Sequence, residues 1–361
     1  MSAAPWVEID PDALRANLAR VRTLAPRSRV LAVVKADAYG HGLVTVARAL
    51  AAADGFAVAR VDEGVALRRA GIGHRIVVLA GFFDRDEAEA AARYRLEPVI
   101  HDPGQMPYLP TGVRPWLKFD SGMHRLGLDE AGFRAALARL RERRPVLMTH
   151  LACADEPRRP ETARQLDRFD RLTQAVGLER SAANSAAILA CPRSHYQWVR
   201  PGLMLYGVSP FPGRTGVELG LRPAMAFRSR LIAVRDLAAG EAVGYGGAWT
   251  ASRPTRLGVV AAGYGDGYPR EVRPGTPVWI GGRRVPLVGR VSMDLVTVDL
   301  TDHPTAAAGD AVTLWGAPLP VEGIAARADT IPYTLMCGIT ARVPRIVSEP
   351  SREDGARQGR L

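Results

Sequence analysis

"VLAVVKADAYGHG", residues 30–42, runs a short apolar stretch into a lysine. The stretch reads as a strand over 30–35 whose side chains are too apolar to face water, so both of its faces must be covered. The lysine at its end is unusual for this chain. Only two lysines, Lys35 and Lys118, stand among 48 basic residues; the rest are arginine. A surface cation can be either type almost indifferently. A nucleophilic amine cannot be replaced in this way, because a guanidinium stays protonated and forms no Schiff base.

Outward from this stretch, the pattern repeats. Further apolar runs follow at 56–59 (FAVA), 76–80 (IVVLA), 97–100 (EPVI), 116–119 (WLKF), 146–150 (VLMTH), 180–184 (RSAAN) and 198–202 (WVRPG). Amphipathic segments such as LVTVARALAAA, DEAEAAARYR, EAGFRAALARLRERR and ETARQLDRFDRLTQAVG separate most of them. Repeated βα units with buried strands predict a parallel sheet, and eight of them predict an α/β fold with a (β/α)8 TIM-type barrel. A doubly wound open sheet is the alternative. The fourth-to-fifth connection, HDPGQMPYLPTGVRP, is short and rich in Pro and Gly, and the seventh strand has little β character.

Beyond FPGRTGVELGLRP (211–223) strand-like alternation dominates, as in AMAFRSRLIAV and PVWIGGRRVPLVGRVSMDLVTVDL. The Gly-Gly of WIGGRR predicts a two-residue hairpin. The expected organisation is a barrel over 1–224 and a mostly antiparallel β C-terminal domain over 225–361, with one helical stretch near 321–339 and a disordered tail from about 350.

Composition narrows the function classes. No apolar run approaches the ~20 residues of a membrane span, and the N-terminus MSAAPWVEID lacks the pattern of a signal peptide. Cys153, Cys191 and Cys337 are odd in number and far apart, which fits a reducing cytoplasm and predicts neither a disulfide framework nor a metal site. The net charge of +11 invites a nucleic-acid reading, but the arginines are scattered. The densest cluster, RLRERR (139–144), closes a predicted helix, where cations complement the dipole. No nucleic-acid-binding motif accompanies it.

Reactive residues fall at the ends of the predicted barrel strands. Lys35 ends the first, Lys118 lies in the fifth and His150 ends the sixth. Asn184 and Ser185 follow the seventh, and Arg200 and Gly202 lie in the eighth. The C-terminal strand ends of such a barrel carry its active site, and the loops after strands seven and eight commonly hold a phosphate. An amine on strand one facing a phosphate site is what a pyridoxal 5'-phosphate enzyme requires.

The motif AVVKADAYGHG (32–42) closely resembles the cofactor-lysine signature of the fold-type III alanine racemases. The resemblance continues in order through LKFDSGMHRLG, THLACADE, ANSAA, VRPGLMLYG, GYG, GYGDGYPR, GRVSMD and CGITARVPR. It implies a pyridoxal 5'-phosphate barrel, a C-terminal β-domain, a cytoplasmic homodimer with composite sites, and interconversion of L- and D-alanine. By the same resemblance Lys35 carries the cofactor and acts as one acid/base, with Tyr245 as the other. Tyr39, Ser185 and the Gly202 backbone are implied as phosphate ligands, with His150 and Asn184 also in the cofactor site. Arg200 is implied to face the pyridine nitrogen. Arg125, the Met293 backbone and Tyr264 are implied at the substrate, and Lys118 is implied to be carbamylated and to bond Arg125. Both lysines then stand where arginine could not do the chemistry.

Two positions depart from the pattern. Ala341 stands where some members have a phosphate-touching tyrosine, and Ser181 where some have a histidine behind the arginine matched by Arg200. The competing readings are a broader-specificity amino-acid racemase, a non-catalytic pyridoxal-phosphate carrier and a sugar-phosphate barrel enzyme.

Overall fold

A computed structural model describes residues 5–348, so the tail expected to be disordered lies outside the described residues. The chain forms two compact units. One is Leu14–Arg214; the other joins the segment ending at Ala13 to the chain from Thr215 onward.

The first unit is a closed parallel barrel of eight strands, as the repeated pattern predicts. In order they are Arg29–Val33, Gly55–Val58, Arg75–Val78, Glu97–Ile100, Trp116–Lys118, Val146–Met148, Arg180–Ser181 and Trp198–Val199. Each corresponds to one of the apolar runs. The weak seventh segment yields only two strand residues. Strand one pairs with strand two at Leu31↔Gly55 and with strand eight at Val30↔Val199, which closes the ring. Gly55 fits closely there: a Cβ would come within 3.1 Å of the Arg75 carbonyl, so a neighbour would have to give by a few tenths of an ångström. Helices Leu43–Ala49, Val61–Arg69, Arg85–Arg93, Glu130–Leu140, Glu161–Thr173 and Ser185–Ala190 join the strands. The Pro/Gly-rich fourth connection forms a single 3-10 segment, Pro103–Tyr108.

The second unit is built on antiparallel pairing. The long strand Met225–Leu237 pairs with both Ala311–Trp315 and Thr255–Val260. Through Val296–Asp299, Arg283–Val288 and Pro277–Ile280 the ladder returns on itself. The expected hairpin is present: Ile280 pairs with Arg283, and Gly281 and Gly282 take φ of 52° and 83°. The helical stretch resolves into two helices, Val321–Arg327 and Pro332–Cys337.

One element was not read from the sequence. Trp6–Ile9 is a strand that pairs antiparallel with Met225–Leu237 and parallel with Arg345–Val347. It therefore belongs to the β-unit, whereas the sequence reading groups residues 1–224 together. Its partners lie far along the chain, so no local periodicity reveals them.

The N-terminal ends of the barrel strands form a polar and aromatic floor. Trp116 and Trp198 meet edge to face at 5.7 Å. Their indole N–H groups donate to Glu97 at 2.8 Å and Glu179 at 3.1 Å. Arg29 and Arg75 lie 4.4 and 4.9 Å from the Trp198 ring centroid, within cation–π range. Arg75 pairs with Glu97, and Arg29 and Arg114 pair with Glu179. Burial alone would raise the Glu179 pKa; hydrogen bonds from Arg29 and Trp198 and the charge of Arg114 outweigh it and hold the carboxyl at about 2.

Because that folded-state pKa lies below the unfolded value of 4.5, the carboxylate stabilises the fold above the unfolded pKa. The contribution disappears as pH falls toward the folded value. Glu179→Gln should therefore cost about 1 kcal/mol at neutral pH, the scale of a partly exposed ion pair. The gap should shrink between pH 5 and pH 2, as measured by chemical unfolding across pH. A gap independent of pH would contradict the assignment.

Candidate active site

Strand one delivers Lys35 to the C-terminal mouth of the barrel, and the chain then turns in an unusual way. Ala36, Asp37, Ala38 and Tyr39 all have φ between 51° and 54°, a left-handed turn made of non-glycine residues. Such a conformation costs roughly 1–2 kcal/mol per residue, so the surroundings must impose it. Ala38 N donates to Val34 O at 2.9 Å, Gly40 N to Ala36 O at 3.0 Å, and Leu43 N to Asp37 Oδ1 at 2.7 Å. Tyr39 is thereby folded back and buried, its ring 4.7 Å from that of Tyr206. The Tyr206 hydroxyl donates to Val33 O at 2.9 Å.

The loops after strands seven and eight meet Tyr39. Asn184 caps the helix Ser185–Ala190 by accepting from Ala187 N at 3.0 Å. Ser185 Oγ accepts from Gly202 N at 2.9 Å and Met204 N at 3.2 Å. A Cβ on Gly202 would stand 2.5 Å from the Tyr39 hydroxyl. Two hydroxyls and a backbone without a side chain at Gly202 thus converge from strands one, seven and eight. Their chemistry suits a phosphate group.

Arg200 is buried in the same barrel. Its Nη1 donates to Ser181 Oγ at 2.6 Å, and its Nη2 lies 2.7 Å from Thr149 O, 3.2 Å from Ala182 O and 3.2 Å from His150 Nδ1. Ser181 in turn donates to Trp198 O at 2.9 Å, so its hydroxyl has an acceptor lone pair to offer the guanidinium. This is how a serine serves behind Arg200. Burial lowers the Arg200 pKa to about 10, which still leaves it charged at neutral pH. Burial and then the charge of Arg200 push His150 well below the usual histidine range. Its imidazole is therefore neutral, with Nδ1 as acceptor because Arg only donates.

Lys118 is also buried. Burial, then the charges of Arg200, Arg125 and Lys35, lower its pKa to about 8, with Asp120 opposing. The Asp120 carboxylate accepts the amides of Gly122, Met123 and His124. Among the described residues no carboxylate bonds Arg200, so the barrel mouth carries an excess of positive charge that suits anionic ligands.

Arg125 belongs to the barrel unit, and Tyr245, Tyr264 and Met293 lie in the β-unit. Tyr245 stands at the tip of a glycine loop between Ala242–Val243 and Trp249–Thr250 and is 74% exposed. Tyr264 and Met293 sit on adjoining loops: Tyr264 N donates to Ser292 O at 3.1 Å and Gly265 N to Met293 O at 2.8 Å. Buried Asp266 accepts from Arg342 Nε at 2.7 Å, and Arg342 Nη2 donates to Asp294 at 2.7 Å. That pair of bonds ties the two loops together.

Arg342 and Gln165 were missed as site residues. Arg342 lies inside the RVPR motif, and only its contacts reveal its work. Gln165 donates to His150 O at 3.0 Å and accepts from Ala152 N at 2.8 Å. A signal for it existed: it is a polar residue on the buried face of Glu161–Thr173, beside Leu166 and Phe169.

In sequence and fold the chain is similar to known proteins. Residues 9–210 match the family model "Alanine racemase, N-terminal domain", and residues 224–347 match "Alanine racemase, C-terminal domain". The alanine racemase of Nitrosococcus oceani is 51% identical over 94% of this chain and 98% of its own length. That of Shewanella amazonensis is 49% identical over 95% and 99%. The crystal structure of the biosynthetic alanine racemase from Pseudomonas aeruginosa superposes with a TM-score of 0.92 at 47% identity, covering 96% of this chain and 99% of that one. A Bartonella henselae alanine racemase with covalently bound pyridoxal phosphate gives 0.87 at 29% identity, covering 96% and 100%.

Gly202→Ala should force the Tyr39 hydroxyl away and destabilise the barrel by about 1–3 kcal/mol, the usual cost of overpacking. Stabilisation by added inorganic phosphate should fall in the same variant, as read by thermal melting with and without the anion. Wild-type behaviour in both would show that the hydroxyl does not border this anion cradle.

Proposed function

The chain belongs to the alanine racemase family and interconverts L- and D-alanine, and we propose that it does so with pyridoxal 5'-phosphate seated at the barrel mouth. The single observation that carries the site assignment is the convergence of the strand-one lysine turn, the Ser185–Gly202 cradle and a buried arginine with no carboxylate partner among the described residues. When bound, the cofactor supplies a conjugated ring that spreads the electron pair left on the α-carbon.

The chain's own residues do the rest. Tyr39, Ser185 and the backbone at Gly202 would hold the phosphate, and Lys35 would hold the cofactor covalently. Arg200, a donor only, keeps a proton off the ring nitrogen. With the cofactor bound, that role of Arg200 would favour return of the proton to the α-carbon. Neutral His150 and Thr149 O fix the guanidinium for that task. Asn184 shapes the loop that presents Ser185.

Racemisation needs one acid/base on each face of the α-carbon. Lys35 serves one face and Tyr245 the other. Arg125 and the Met293 backbone orient the substrate carboxylate, and Tyr264 limits the space for its side chain. Lys118, its pKa lowered to about 8, has a share of neutral amine at physiological pH. Bonding of that amine nitrogen to CO2, with loss of one N–H proton to solvent, would give a carbamate anion able to accept from Arg125. The product serves peptidoglycan, or the enzyme degrades D-alanine; the few, separated cysteines fit a cytoplasmic location.

Chiral analysis over a panel of L-amino acids tests the substrate: alanine should be racemised fastest. A faster turnover of serine, lysine or arginine would replace alanine with a broader substrate class. In the same preparations, borohydride should fix the cofactor to Lys35; a label on Lys118, or none, would remove the cofactor assignment.

Lys35 and Tyr245 belong to different compact units, and Tyr245 is largely exposed within one chain. A homodimer in which each site takes its lysine from one subunit and its tyrosine from the other accounts for both facts. Lys35→Ala and Tyr245→Ala proteins, unfolded together and refolded, should then regain about a quarter of wild-type activity through random pairing. Recovery of nothing would mean that both residues act from the same chain.

A further inference from the structure

The left-handed turn after Lys35 is held by a residue from another part of the barrel. Glu63 is the third residue of the helix Val61–Arg69, which follows strand two. Its Oε2 accepts from Ala59 N at 2.7 Å and Arg60 N at 3.1 Å, which caps that helix in the usual way. The other oxygen does something that a cap does not need. Oε1 reaches across to strand one and accepts from Ala36 N at 2.6 Å. Ala36 N–H belongs to the peptide that leaves Lys35, at the point where the chain enters the left-handed region (φ 54°).

We propose that Glu63 is a positioning residue for Lys35: its carboxylate fastens the peptide after the lysine and so holds the left-handed turn that sets both the amine and Tyr39. This rests on the reading of Lys35 as the cofactor lysine. The reasoning is energetic. Ala36, Asp37, Ala38 and Tyr39 would each be more stable right-handed. A charge-assisted bond from a carboxylate to a backbone amide is about twice as strong as a neutral one, and this one acts on the first residue of the turn. Released from it, the turn relaxes toward ordinary backbone angles, and the amine shifts relative to the cradle at Ser185 and Gly202. A misplacement of about 1 Å at a reacting group can cost about 100-fold in rate.

Glu63→Gln separates the two duties. The amide retains one carbonyl oxygen, enough to cap Val61–Arg69, while its NH2 would then face the Ala36 N–H and cannot accept from it. The expected results are three. Hydrogen exchange in the cofactor-free protein should accelerate for amides in peptides spanning 35–43 and stay unchanged in the helix 61–69. Capture of added pyridoxal phosphate as a borohydride-fixed adduct on Lys35 should slow. For alanine, kcat should drop roughly 10- to 100-fold with KM changed less than threefold.

A residue that merely stabilises the fold would lower the melting temperature and leave kcat per folded molecule intact. Unchanged exchange over 35–43, or unchanged kcat, overturns the proposal. Should wild-type protein fail to fix cofactor on Lys35, the cofactor reading falls, and that outcome is visible before any variant is compared. Glu63→Ala, which removes cap and link together, should accelerate exchange in both segments; acceleration confined to 61–69 also overturns the link to Ala36.

Discussion

Everything at the barrel mouth depends on one closure, the pairing of the first strand with the eighth. The backbone ladder at Arg29↔Trp198 and Val30↔Val199 brings together the two ends of a long parallel sheet. Without it, Lys35 and Tyr39 would stand at one edge and Arg200 and Gly202 at the opposite edge. The floor below reinforces the ring, since Arg29 stacks on Trp198 and shares Glu179 with it. Closure leaves the parallel strands with no open edge.

The mouth is then furnished with positive charge and few countercharges. Arg200 satisfies its guanidinium with carbonyls, a hydroxyl and a neutral imidazole. Solvation by dipoles keeps a buried cation protonated without cancelling its charge, so it remains free to act on a ligand. Lys118, beside it, answers the same field by losing affinity for its proton. Two buried bases of the same sign therefore respond differently: the guanidinium holds its charge, and the amine becomes convertible.

Backbone strain forms the third component. A stretch of four non-glycine residues in the left-handed region is costly, and here it allows Lys35 and Tyr39 to reach their places within a single turn. The cost is offset by the Glu63 carboxylate, the Asp37 side chain and the turn's own amides. Local preference and tertiary demand disagree at this point, as they often do at functional sites.

The sequence by itself determined a good deal. Apolar runs a few residues long cannot be exposed, so the eight barrel strands and their parallel character were legible, as was the Gly281–Gly282 hairpin. The retained lysines singled out two positions that the fold brings to the same end of the barrel: Lys118 is buried there and Lys35 precedes the left-handed turn. What it did not carry was anything whose partner is remote. Trp6–Ile9 alternates buried and part-buried side chains over only four residues, too short a pattern to announce its place, and the ladders with Met225–Leu237 and Arg345–Val347 put it in the β-unit. Glu63 and Gln165 read as ordinary helix residues; their carboxylate and amide gain meaning from amides and carbonyls on neighbouring strand ends. The handedness of Ala36–Tyr39 opposes local propensity outright. Local sequence records which groups must be buried and which can react, while long-range hydrogen bonds decide where those groups stand, and only the folded barrel brings those bonds into being.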